Sequence, residues 1–184
     1  MKQDIEAIFK NLRSSEDEIR YPAFQQAYAL TEQKVDWVYE VWDQLFEMLA
    51  SDNSYQRSIA LRLFCNLARS DNEKRLIALL PQILAHTKDE KFITSRQTLQ
   101  EVWKIAWFLP ETSAAVEAHL KQRFLECGEE KHANLLRQDS LQSLFTLAEL
   151  KHDEGLMEEA KQLIESDPEE KNRKAYRAMM KGKN

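Results

Sequence analysis

The chain has 184 residues, 43% of them hydrophobic, with only three glycines and four prolines; Leu, Ala, Glu, Lys, Gln and Arg dominate, which favours helix nearly everywhere and argues against a β-rich fold. Its 31 acidic and 26 basic residues leave a net charge of −5, so a protein that coats nucleic acid indiscriminately is not expected. No apolar run approaches the roughly 18 residues of a membrane span, the N-terminus lacks a secretory apolar core, and two cysteines make no disulfide framework; a cytoplasmic protein with reduced thiols and no membrane partner is expected.

In chain order, the first helix pair is predicted over Asp4–Leu12 and Glu16–Thr31. Its second helix should begin nearer Tyr21, because Pro22 fits most easily in a first turn. Val38, Val41, Trp42, Leu45, Phe46 and Leu49 form one stripe at helical spacing, which predicts an amphipathic helix. Ser51, Asp52, Asn53 and Ser54 then offer side-chain acceptors for the free N–H groups of a following helix that runs to about Arg69. Residues 73–87 and 90–108 make a third pair, with Pro81 expected to bend its first helix. Residues 111–127 and 131–150 make a fourth, joined through Gly128, which is expected in a left-handed cap. After residue 153 a last pair is predicted, its final helix capped by Asp167 with Pro168 at the first position; a frayed basic tail is the competing expectation.

These pairs share a phrase. Ala23–Leu30, Ala60–Leu67, Thr98–Ile105 and Ser140–Leu147 repeat one apolar pattern, with a weaker copy at Ala175–Met180, at offsets of 37, 38, 42 and 35 residues. Periods of this length belong to helical arrays, in which each unit buries its apolar face only by stacking on the next. The predicted architecture is all-α: one domain, 1–184, of about five antiparallel helix pairs at 2–33, 35–70, 72–108, 111–150 and 153–181.

Asp52 followed by Arg57, and then the Ala60–Leu61 to Leu67–Ala68 phrase, resembles a HEAT repeat of the HEAT/armadillo family. Arg20 occupies the equivalent of Arg57; Ser95 replaces it in the third copy beside Arg96, and Arg137 is close to the place in the fourth. The resemblance extends to small bacterial HEAT-like proteins. It implies a right-handed α-α superhelix, a solenoid whose second helices line a concave face, and a role in binding other macromolecules.

Three columns of polar positions on the second helices define the expected face: Tyr21, Ser58, Arg96, Gln138, Arg173; Gln25, Arg62, Gln100, Gln142, Arg177; and Ala29, Asn66, Lys104, Thr146, Lys181. Successive columns are four residues apart, hence on one side of each helix. Six of these positions are basic and none is acidic, although Glu101 and Asp139 stand one position away. The bland account of such a stripe is a solvated face of good helix formers. The functional account is a surface for an acidic or polar protein segment, centred on Arg62, Arg96, Gln100, Lys104, Trp107 and Gln142. Trp42 and Trp103 fall on packing faces, whereas Trp107 lies near the end of the polar stripe.

The four histidines are scattered, no cysteine has zinc-site spacing, no nucleophile motif surrounds a serine, and no glycine-rich phosphate loop occurs. No metal, cofactor or catalytic constellation is expected. The leading expectation is a non-enzymatic interaction scaffold whose concave face binds an unidentified protein with an acidic segment. The alternative is a nucleic-acid-binding protein distantly related to HEAT-like alkylpurine DNA glycosylases. Those enzymes work in a concave basic groove with Trp, Asp and Arg; here Trp42–Asp43, on a first helix, is the nearest Trp–Asp pair.

Overall fold

The computed structural model describes residues 2–181, and every regular element among them is a helix. In order these are α1 (Lys2–Asn11), α2 (Asp17–Thr31), α3 (Trp42–Leu49), α4 (Ser54–Leu67), α5 (Arg75–Ala85), α6 (Phe92–Glu101), α7 (Trp103–Phe108), α8 (Ser113–Glu126), α9 (Ala133–Lys151), α10 (Glu154–Ser166) and α11 (Glu170–Lys181). Short 3-10 turns follow α4, α5 and α8 and precede α8. The chain groups into two compact units that part between Thr98 and Leu99. No helix among the described residues is long and apolar enough to cross a membrane.

In the first unit α1 packs on α2, α3 on α4, and α2 on α4. Phe9, Leu12, Leu45, Met48, Leu61, Phe64, Leu76 and Ile83 are buried, and Trp42 meets Phe64 edge to face at 5.0 Å between centroids. Asn53 caps α4 by accepting from Tyr55 N at 2.9 Å, the chemistry its sequence offers. In the second unit α9 packs on α7, α8, α10 and α11, burying Val116, Leu120, Phe124, Leu144, Ile164 and Tyr176. The last helix is therefore a packed element.

A recurring bond sets the entry to several helices. Arg20 donates to Ser14 O at 2.8 Å, Arg57 to Ser51 O at 2.9 Å and Arg173 to Asp167 O at 2.5 Å, each reaching six residues back into the preceding loop. Ser95 does the same from its hydroxyl to Thr87 O, and Arg137 reaches Phe124 O. Two of these arginines also reach forward. Arg57 makes a bidentate pair with Asp89 at 2.7 and 2.8 Å, and Arg137 binds Asp167 at 2.7 Å; both carboxylates are almost wholly buried. Loop carbonyls that face the interior need such donors.

Several expected boundaries move. α2 starts at Asp17, not near Tyr21, and holds Pro22 in its interior. Pro22 is exposed, so water can serve the Glu18 carbonyl that loses its N–H partner. α3 begins only at Trp42; residues before it form turns in which Tyr39 donates to Asp71 at 2.9 Å, and Phe46 is 43% exposed. The helix expected over 90–108 breaks between Glu101 and Trp103. Gly128 is not left-handed; that conformation falls on Lys74, His132 and His152, which flank α5 and α9. α11 begins at Glu170, after Asp167 and Pro168; Asp167 accepts from Glu169 N at 2.9 Å and from Arg137.

Candidate peptide groove

In the first unit, α2, α4 and the start of α6 enclose a groove of about 490 Å³. α2 contributes Asp17, Arg20, Tyr21 and Phe24; α4 contributes Ser54, Tyr55, Ser58, Ile59 and Arg62; Glu90, Lys91, Phe92, Ile93, Thr94 and Gln97 complete it. Its volume lies in the range of ligand sites, and its lining is chiefly apolar with a few polar groups. Tyr21, Tyr55 and Ile93 are 60%, 61% and 60% exposed, a concentration of large apolar side chains on one face.

The side chains of the groove are held from behind. Arg20, nearly buried, is fixed by Ser14 O and the Asp17 carboxylate, and its guanidinium lies 4.5 Å from the Tyr55 ring centroid. Arg62 sits over Phe24 and Tyr28 at 4.8 and 4.6 Å, and those two rings are themselves 5.6 Å apart. Such stacking positions a guanidinium while leaving its edge N–H groups directed elsewhere. The Ser58 hydroxyl donates to Gln97 Oε1. Glu90 lies 3.5 Å from Arg57 and 3.9 Å from Lys91. The lining carries three cations, Arg20, Arg62 and Lys91, against two carboxylates, in a chain whose net charge is −5.

Below the groove, Asp89 anchors the loop that leads into α6. It accepts from Arg57, from Lys91 N at 2.9 Å and from His86 Nδ1 at 2.9 Å. Burial works to raise its pKa, but the bonds from Arg57, Lys91 N and His86 outweigh it and hold the carboxyl at about 2. The pair with Asp89 pushes Arg57 up in turn.

The residues expected from sequence to form the site fall in both units. Arg62 lines the groove, and Arg96 stands 5.8 Å from the ring of Phe92, a groove residue. In the second unit Gln100 donates to Asp139 at 2.8 Å, Lys104 pairs with Glu101, and Gln142 donates to Thr146 Oγ1 at 3.3 Å on its own helix. Trp107 is 38% exposed near the end of α7. Elsewhere in the stripe, Arg173 pairs with Glu170, and Arg177 with Glu165, whose carboxyl that bond holds below its ordinary value. The cations of the second unit are thus accompanied by carboxylates from neighbouring positions. Asn66, expected on the face, is buried, donating to Tyr28 O and Thr31 Oγ1. The side chain of Lys181 lies outside the described residues.

Tyr55 and Ile93 were not in the expected site, although the sequence carries a signal. They align at the offset of 38 that separates the second and third copies, and each puts a large apolar side chain in the first turn of a helix, where a solvated face would be polar. Trp42 of the Trp–Asp pair is core, 7% exposed. Cys65 and Cys127 are both buried free thiols, and burial pushes the Cys127 pKa up. Among the described residues no group of three His, Cys, Asp or Glu side chains is placed to hold a metal ion. Compared with known protein families the chain matches none, and it has no match among curated proteins.

Proposed function

We propose that the protein is a non-enzymatic interaction module, a HEAT-like right-handed solenoid of about five antiparallel helix pairs that holds an acidic or polar segment of a partner protein on its second helices. The arginine bonds that recur at the helix entries support that stacking. The observation that carries the binding reading is the groove of α2, α4 and α6: exposed Tyr21, Tyr55 and Ile93 surround a cavity whose lining is net cationic in an acidic chain. Aromatic side chains and arginine are the residues that dominate binding energy at protein interfaces, because they offer large contact area and directed donors together. The expected centre moves accordingly from the residues on both sides of Thr98 to Tyr55, Arg62 and Phe92.

Selection of binders to the full chain from a random peptide library tests this. Enrichment of aromatic and acidic residues is expected, and the selected peptides should bind Tyr55→Ala about 30-fold more weakly, the cost of a hot-spot truncation of about 2 kcal/mol. Arg62→Glu should abolish binding of the acidic members. Binders that ignore both substitutions, or duplex-DNA binding that is tighter than any peptide and falls steeply with salt, would overturn the proposal.

A further inference from the structure

Phe46 has the position of a core residue without the surroundings of one. It stands on the apolar stripe that runs from Val38 to Leu49, yet of the chain's eight phenylalanines it is the exposed one, at 43%. A large apolar side chain left in water is stabilised by any partner that covers it. Asp43, Glu47 and, at the C-cap, Ala50 are exposed too, at three, one and four residues from Phe46, so the four share one outer face of α3. That face is held rigidly. Trp42 packs edge to face on Phe64, Gln44 Nε2 donates to Phe9 O, and Glu47 pairs with Arg13. The result is an aromatic knob between two carboxylates.

The groove of α2, α4 and α6 has the matching chemistry, granted the peptide-binding reading on which this rests. Its apolar mouth is made by the exposed Tyr21, Tyr55 and Ile93, and its lining is net cationic. At the rim the Lys91 ammonium, on a side chain 60% exposed, lies 3.9 Å from Glu90. A pair that long and that solvated is weak, so a second carboxylate can share the ammonium. Among the described residues none of α3 lines the groove, and the packing of α3 keeps the knob away from the groove of its own molecule. We infer that the groove takes a second copy of the chain: Phe46 seats among Tyr21, Tyr55 and Ile93, and Asp43 and Glu47 lie over the cationic rim at Lys91. Knob and groove are different surfaces, so the contact is heterologous and propagates from copy to copy instead of closing as a two-fold dimer. Its size sets its strength. The face of α3 is about 12 Å long, which keeps the buried area below the roughly 1,200 Å² of a stable complex. The dissociation constant is therefore on the order of 100 μM, and a partner segment of higher affinity displaces the second copy.

Sedimentation velocity on the full chain between about 5 and 500 μM tests this. The native protein should gain mass with concentration, past the dimer at the top of the range, and less so in high salt. Phe46→Ser and Tyr55→Ala, both at exposed positions and checked for unchanged helicity, should each weaken association at least about 10-fold. An equimolar mixture of the two should form dimers and nothing larger, because one knob and one groove remain between them. Lys91→Glu should weaken association about fivefold, and mixing it with Asp43→Lys should offset the loss. A protein that stays monomeric throughout, association indifferent to Phe46→Ser, or a mixture that fails to pair would overturn this inference. Library peptides that still lose affinity in Tyr55→Ala would then leave the groove reading standing, and peptides indifferent to that substitution would remove both.

Discussion

Replacing Asp89 by alanine is expected to destabilise the first unit by about 3–5 kcal/mol, the cost of stranding one member of a buried ion pair, and to lower its thermal unfolding midpoint by about 20 °C. Arg57 is the residue stranded: its guanidinium keeps the carbonyls of Ser51 and Asp52 but loses both charge-assisted bonds to the Asp89 carboxylate, in a side chain only 10% exposed. Arginine cannot shed its proton to escape. Calorimetry of Asp89→Ala, Arg57→Met and the double variant checks this. The double variant should recover much of the loss, because two apolar side chains leave no orphaned charge; losses that simply add would show that the pair is not coupled.

The same carboxylate gives the protein an acid limb. Held at about 2 in the fold against an ordinary 3.8, Asp89 binds a proton more readily in the unfolded chain. Its contribution, about 2 kcal/mol, is complete above pH 4 and disappears as the pH falls to 2. Denaturant unfolding at steps between pH 5 and 2 should show this loss in the native protein and not in Asp89→Asn. Equal slopes in the two would remove Asp89 as the cause.

The second large effect concerns the C-terminal helix. Asp167, with a fully buried side chain, joins Arg137 of α9, Glu169 N and Asn172 at the start of α11, and the Tyr176 hydroxyl at 3.4 Å. Burial first, and the Asp167 charge after it, push the Tyr176 pKa well above its ordinary value, so the phenol stays a donor. Asp167→Ala removes the cap of α11 and leaves Arg137 without its partner. Local opening of α11 should become easier by about 3 kcal/mol, and trypsin cleavage at Arg173, Lys174 and Arg177 about 100-fold faster, with exchange protection of α4 unchanged. Unchanged cleavage would show that Tyr176, buried near Phe124, holds the helix by itself.

The helical class was legible because glycine and proline are scarce and the apolar spacing is helical throughout; Asn53 and Asp167 were legible as start signals because their oxygens have few other uses in a turn. What the spacing hid was pairing. Glu101 stands one position off the basic stripe, yet across the break between α6 and α7 it pairs with Lys104, three residues on, and the pair cancels the charge that makes the stripe conspicuous. Asn66 looked like a surface polar residue because Lys104, Thr146 and Lys181 take its place in later copies; its amide instead donates to the Tyr28 carbonyl inside the unit. Tyr55 and Ile93 were overlooked for the opposite reason: apolar residues in a repeat are read as core, and only their positions in the first turns of α4 and α6 expose them.

Arg57 holds a carbonyl of the loop behind it and Arg137 a carbonyl in the last turn of α8, and each also binds a carboxylate, 32 or 30 residues ahead. A segment cut at the loops and moved elsewhere in the chain would therefore arrive with an arginine looking for an acid that belongs to its former successor. Recombination, insertion or design that keeps each of these arginines together with its distant carboxylate should be tolerated where a cut between the two is not.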